Sequence, residues 1–225
     1  MVKVILCYGG SNTRGFIPGS FDEKTWLHRR YPKEKRWTGV LQKNLGSAYE
    51  VIEEGLAGRT TNLDELNPNS IKFSRNGLKE ILTVLDTHYP IDLVIFDLGN
   101  NDAKIQFKQP TEKIVEGMQR LVQAVKSCFY GPQKTVPKIL VTAPAPWQRV
   151  SGLSAMMAAQ YTDEVVAKTK SLPALYEKMC LQEKVAFFDV SSVVTTSQID
   201  GVHLDEAQHY LLGVEIAKKV ARILM

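Results

Sequence analysis

Apolar residues gather in five short runs, each closed by a turn-forming residue, and the segments between them carry apolar positions at helical spacing. Val2 to Tyr8 runs into Gly9-Gly10, and Asp92 to Leu98 runs into Gly99. Neither run alternates with polar residues, which predicts strands buried on both faces, as in a parallel sheet. Tyr49–Glu53, Lys138–Thr142 and Val185–Asp189 are three further β-rich runs bounded by glycine, proline or polar turns. Leu78, Ile81, Leu82 and Leu85 share one helical face, as do Ile114, Met118, Leu121, Val122 and Val125. The carboxyl-terminal segment sets Leu212, Ile216, Val220 and Ile223 on one stripe, and Asp205 with Gln208 before it has the form of a capping box. Residues 160–183 are also helical in pattern, with Pro173 expected either to kink the helix or to begin a second one after Ser171. Residues 15–35 hold glycine, two prolines and many charges without a period, and predict a long loop beside the end of the first strand.

Strand alternating with helix places the chain in the α/β class: a three-layer α/β/α sandwich around a five-stranded parallel sheet with right-handed crossovers. The expected strand order is the flavodoxin-like 2-1-3-4-5. Sheets of this kind bind ligands beyond the carboxyl ends of their strands, where the strand order reverses between the first and third. The turns after those strands are therefore where chemistry is expected. With 225 residues and no repeat, low-complexity tract or linker, one domain spanning 1–225 is predicted.

Composition narrows the class without choosing a function. An apolar fraction of 44% and a charged fraction of 23% exclude disordered, collagen-like and disulfide-rich chains. The net charge of +4 is not concentrated along any helix, so a nucleic-acid partner is not expected. The densest basic group, Arg29, Arg30, Lys33, Lys35 and Arg36, reads first as a solvated loop and second as an anion or subunit contact. Cys7, Cys128 and Cys180 lack C-x-x-C spacing and are odd in number, which predicts reduced thiols, with Cys7 acting as a small buried hydrophobe. The amino-terminal apolar run is too short for a signal peptide, and no later stretch has the length of a membrane span; a cytoplasmic protein without a membrane partner is expected. No H-E-x-x-H, cysteine pair or carboxylate cluster calls for a metal, and no cofactor is expected.

Four of the strand-end turns carry candidate chemistry. Ser11 in Gly9-Gly10-Ser11-Asn12-Thr13 can present an exposed hydroxyl and a free backbone N–H, although for a serine taken alone a helix N-cap is the better explanation. Gly55, after the second strand, can turn its N–H into the same crevice or merely form a tight turn. Asn101, in Gly99-Asn100-Asn101-Asp102, can donate its amide to a developing oxyanion or act as an ordinary turn residue. In Asp200-Gly-Val-His203 a carboxylate three residues from an imidazole can hold the tautomer that accepts a serine proton. All four fall on the one edge where such a sheet binds ligands, and their coincidence favours chemistry over four separate structural explanations. His28, His88 and His209 are assigned helix-end or surface roles.

These segments resemble the four sequence blocks of the SGNH hydrolase family, also called GDSL esterases, nearly end to end. Arg36-Trp-Thr-Gly-Val-Leu41 and Val51 to Thr61 are further similar to its bacterial arylesterase and acyltransferase branch. The resemblance implies a serine esterase acting on small-molecule, short-chain esters, with Ser11 as nucleophile and Asp200 and His203 as its partners. It also implies an oxyanion hole made of the N–H groups of Ser11 and Gly55 and the Asn101 amide. An acyl-serine intermediate resolved by water or by another acceptor follows from it, and it is compatible with a homo-oligomer in which the loop 15–35 touches a neighbouring subunit. Trp147 is a candidate wall of the acyl or alcohol pocket, with core packing as the alternative, and Thr13 and Arg59 are candidate substrate contacts. One position departs from the family: Gly10 stands where Asp is usual, which predicts a looser nucleophile turn. The rival readings are a catalytically idle binding module for a carbohydrate or peptide, and a nucleotide binder, for which no glycine-rich phosphate motif follows the first strand.

Overall fold

The computed structural model describes residues 2–64, 74–151, 153 and 155–225. Its strands are β1 (Lys3–Gly9), β2 (Tyr49–Gly55), β3 (Leu93–Asp97), β4 (Lys138–Ala143) and β5 (Ala186–Asp189). Its α-helices are α1 (Ser11–Arg14), α2 (Trp37–Leu45), α3 (Gly77–His88), α4 (Thr111–Lys126), α5 (Ala155–Gln160), α6 (Asp163–Glu183) and α7 (Glu206–Leu224). The strands form one parallel sheet in the order β2-β1-β3-β4-β5, as predicted. Register sets Gly9 of β1 opposite Gly55 of β2 on one side and Asp97 of β3 on the other. β2, β1 and β3 thus end level, and their turns open onto a common edge.

The unbroken apolar runs reflect burial on both faces of the sheet. Leu6, Tyr8, Val94, Phe96, Ile139 and Val141 pack with α3, α4 and α6, while Ile5, Cys7, Leu93, Ile95 and Leu140 pack with α2 and α7. This alternation follows from the two-residue side-chain period of a strand. It makes a three-layer α/β/α sandwich.

Two helices are absent from the sequence expectation. In α2 only Trp37, Val40 and Leu41 form the core face across nine residues, too short a window for a period to stand out. α5 has six residues and no such stripe. Farther on, Pro173 starts no second helix: α6 continues past it for ten more residues, from a start capped by Thr162, whose hydroxyl accepts from the Val165 N–H. At α7 the cap forms only in half. Asp205 accepts from the Gln208 N–H at 2.9 Å, but the Gln208 side chain accepts from the Thr195 N–H instead of reaching back. The cap nevertheless fixes where α7 begins, and His203 sits three residues before that point.

Candidate active site

Ser11 is the first residue of α1, immediately beyond β1, and it is not an N-cap. Gly10 holds the cap position, and no side chain caps the helix. The Ser11 Oγ lies instead 3.1 Å from Nε2 of His203. On the other side of the ring, Nδ1 lies 2.8 Å from Oδ2 of Asp200. With Nδ1–H donating to the carboxylate, Nε2 is left as the acceptor for the serine hydroxyl.

Asp200 is well matched to hold that tautomer. Its Oδ1 accepts from the backbone N–H groups of Val202 and His203, both at 3.0 Å, and its Oδ2 also accepts from the Gly19 N–H at 3.1 Å. Burial works to raise the Asp200 pKa. The hydrogen bond and charge of His203 and these backbone donors outweigh it, and the carboxyl stays below its ordinary value.

Asn101 lies in the 3-10 turn Asn100–Ala103 that follows β3. One amide hydrogen goes to the Arg59 carbonyl at 3.1 Å, which leaves the second available. Ser11, His203 and Asn101 line one open cleft of about 160 Å³, together with Ala57 and Gly58. That volume is below the roughly 300–1,000 Å³ of pockets that enclose drug-sized ligands.

The family model for GDSL-like lipases and acylhydrolases matches residues 7–211. The chain belongs to the GDSL-like lipase/acylhydrolase family. Among solved structures it is similar to a carbohydrate acetylesterase from Sinorhizobium meliloti, with 37% identity over 98% of this chain and 99% of that one and a TM-score of 0.88. It is equally similar to the aryl esterase of M. smegmatis, with 37% identity over 100% of both chains and a TM-score of 0.88. No curated protein matches the chain at a significant level.

Within this acylhydrolase, three residues predicted to serve the site lie outside the cleft lining. Gly55 is the last residue of β2, because the strand runs two residues past its predicted end. A Cβ there would meet the Arg14 nitrogen at 2.3 Å, so the glycine is required where α1 crosses the strand. The next N–H, of Leu56, is already donated to the Gly9 carbonyl at 3.0 Å. Gly58 reaches the cleft instead, at φ +80°, and its N–H has no protein acceptor among the described residues. The sequence signal was the second glycine of Gly55-Leu-Ala-Gly58.

Thr13 is fully buried and its Oγ1 lies 2.8 Å from Oδ2 of Asp97. Arg59 is also buried. Its Nη1 donates to the carbonyls of Gly9 and Glu54, and its guanidinium lies 3.9 Å from the centre of the Tyr8 ring. Both residues brace the strand ends beneath Ser11. Trp147 is 2% exposed, packs edge-on against Tyr161 and lies in the lining of the cleft.

The absence of a side chain at Gly10 does not leave the turn unsupported. Its φ of −90° is open to any residue, and its N–H donates to the Asp97 carbonyl at 3.2 Å. Asp97 therefore grips the turn at Gly10 through its backbone and at Thr13 through its carboxyl. Burial raises the Asp97 pKa against the hydrogen bonds of Thr13 and Thr142.

The loop 15–35 folds over the site. Phe16 lies parallel to the His203 ring, with centroids 3.9 Å apart, and His28 stacks on its other face at 4.2 Å. His28 is thus a cleft residue rather than a surface one. Burial lowers its pKa to about 4, and Arg14, whose Nε donates to it, adds to the effect. Three of the five basic residues are paired within the fold: Arg30 and Arg36 share Glu53, and Lys35 pairs with Glu206. His209 is buried, not a surface residue, while His88 ends α3 beside Glu54 as expected. Among the described residues no group of His, Cys, Asp and Glu could hold a metal ion, and no helix is long and apolar enough to cross a membrane.

Proposed function

We propose that this acylhydrolase cleaves short-chain carboxylic esters through an acyl-serine formed on Ser11. The observation that carries this reading is the continuous chain from Ser11 Oγ to His203 Nε2 at 3.1 Å and from His203 Nδ1 to Asp200 at 2.8 Å. Ser11 attacks the ester carbonyl as His203 takes its proton. Asp200 holds the imidazolium, and the tetrahedral oxyanion is met by the Ser11 N–H, the Asn101 amide and the Gly58 N–H. The proton then passes to the departing alcohol, and water resolves the acyl-serine by the reverse sequence.

The cleft supports small esters, because its volume of about 160 Å³ leaves room only for short groups beside the reacting atoms. Phe16, Phe21, Trp26, Trp147 and Tyr161 supply aromatic surface around the reacting atoms. That surface favours an alcohol over water as acyl acceptor, so transfer to an alcohol is a second outcome of the same intermediate.

A fluorophosphonate probe together with esters of graded acyl length tests the proposal. Wild type should be labelled at Ser11 and should turn over short esters fastest, and Ser11→Ala should lose both properties. Failure to label either protein would favour the idle binding module.

A further inference from the structure

The proposed nucleophile and base come from opposite ends of the chain and must meet within a narrow distance. Proton transfer needs heavy atoms about 2.6–3.2 Å apart, and the Ser11–His203 separation of 3.1 Å leaves little slack. A helix of four residues cannot maintain that distance by itself, because its own hydrogen bonds hardly exceed the cost of nucleation. The Thr13–Asp97 contact ties α1 down to β3 but does nothing to register it against the loop that carries His203.

Asn12 supplies the missing connection. Its Nδ2 donates to the Val202 carbonyl at 3.4 Å, and its Oδ1 accepts from the Leu204 N–H at 3.0 Å. One side-chain amide, adjacent to Ser11, therefore pairs with the main chain immediately before and immediately after His203. Because a donor and an acceptor are both used, this arrangement fixes the orientation of the amide.

We propose that Asn12 is a positioning residue that sets the distance and direction between Ser11 Oγ and His203 Nε2. The inference rests on the reading of those two groups as nucleophile and base. Asn12 borders only the small pocket beside the main cleft, and its amide oxygen and nitrogen are both engaged by the main chain flanking His203, so its effect should fall on the chemical step rather than on substrate binding. A displacement of about 1 Å between reacting groups can cost about a hundredfold in rate.

The test compares three substitutions. Asn12→Leu removes both bonds at similar volume. Asn12→Asp keeps the acceptor for the Leu204 N–H, and Asn12→Gln keeps both groups but displaces them by one methylene. Asn12→Leu and Asn12→Gln should lower kcat about tenfold or more with KM within about twofold, and should slow fluorophosphonate labelling of Ser11 in parallel. Asn12→Asp should recover much of that loss. A kcat for Asn12→Leu within about twofold of wild type, or a raised KM at unchanged kcat, would overturn the inference. Should Asn12→Leu fail to fold, Asp against Gln decides it: a slower Gln variant supports positioning, and equal rates refute it. An active Ser11→Ala overturns the nucleophile assignment and this inference with it, whereas an inactive Ser11→Ala beside a fully active Asn12→Leu overturns this inference alone.

Discussion

Asn101 contributes to the site through a single amide, one hydrogen of which is occupied by the Arg59 carbonyl while the other is free for a developing charge. Asn101→Ala should lower kcat roughly a hundredfold or more, the scale of losing one oxyanion donor. Steady-state kinetics on a short ester checks this, and a near wild-type rate would remove Asn101 from the oxyanion hole. At this scale Ser11, Asn101, Asp200 and His203 stood out as candidates because each lies in a turn at a strand end or just before a helix, and the structure brings Ser11, Asn101 and His203 to one cleft with Asp200 behind the imidazole. Gly55 and Gly58 were not separable, since the difference between them is how far the β1–β2 ladder runs before the turn begins. Thr13 and Arg59 misled for a related reason. A polar side chain beside a site can face the substrate or the framework, and here Asp97 and two backbone carbonyls claim them.

Glu53, near the end of β2, joins three elements. It accepts from Arg30 of the loop over the site, from Arg36 just before α2 and from Thr38 within α2. Its side chain is 9% exposed and that of Arg36 13%, so neither charge is well solvated if the other is removed. Glu53→Gln should therefore destabilise the fold by about 1–3 kcal/mol. A urea titration at neutral pH measures the loss, and an unchanged midpoint would show that the cluster is as solvated as its sequence suggested. Strands and long helices were readable because burial on one or two faces imposes a period. The loop 15–35 was read only as irregular. Nothing local in it foretells that Phe16 stacks on His203 or that the Gly19 N–H meets Asp200, because both contacts span more than 180 residues.

Across the whole molecule, acid should act through His209, which joins α7 to the start of α2. It is completely buried, its Nδ1 accepts from the Trp37 N–H at 3.3 Å, and burial lowers its pKa from 6.5 to about 3, with the charges of His203 and Arg36 adding to the effect. Between those values the unfolded chain binds a proton that the folded chain refuses. Stability from this group is therefore constant above about pH 6.5 and falls as pH drops below it, by at most about 1.4 kcal/mol per unit. Burial raises the pKa of Asp102 to about 7, which acts in the opposite sense, so the informative quantity is a difference between proteins. Denaturation midpoints from pH 7 to pH 4 should fall more steeply for wild type than for His209→Gln. Parallel slopes would sink the assignment.

The order of strands and helices, the parallel sheet and the edge on which the site opens were determined by the sequence, because hydrophobic period and turn chemistry are local properties. The tertiary structure alone decided which donors and braces surround Ser11. Gly58 rather than Gly55 at the cleft lining, the stack of Phe16 on the imidazole with His28 behind it, the grip of Asp97 and the bridge from Asn12 all depend on where the ends of strands and loops come to rest against one another. Those positions are set by packing between residues distant in sequence, and a linear pattern carries no record of that distance.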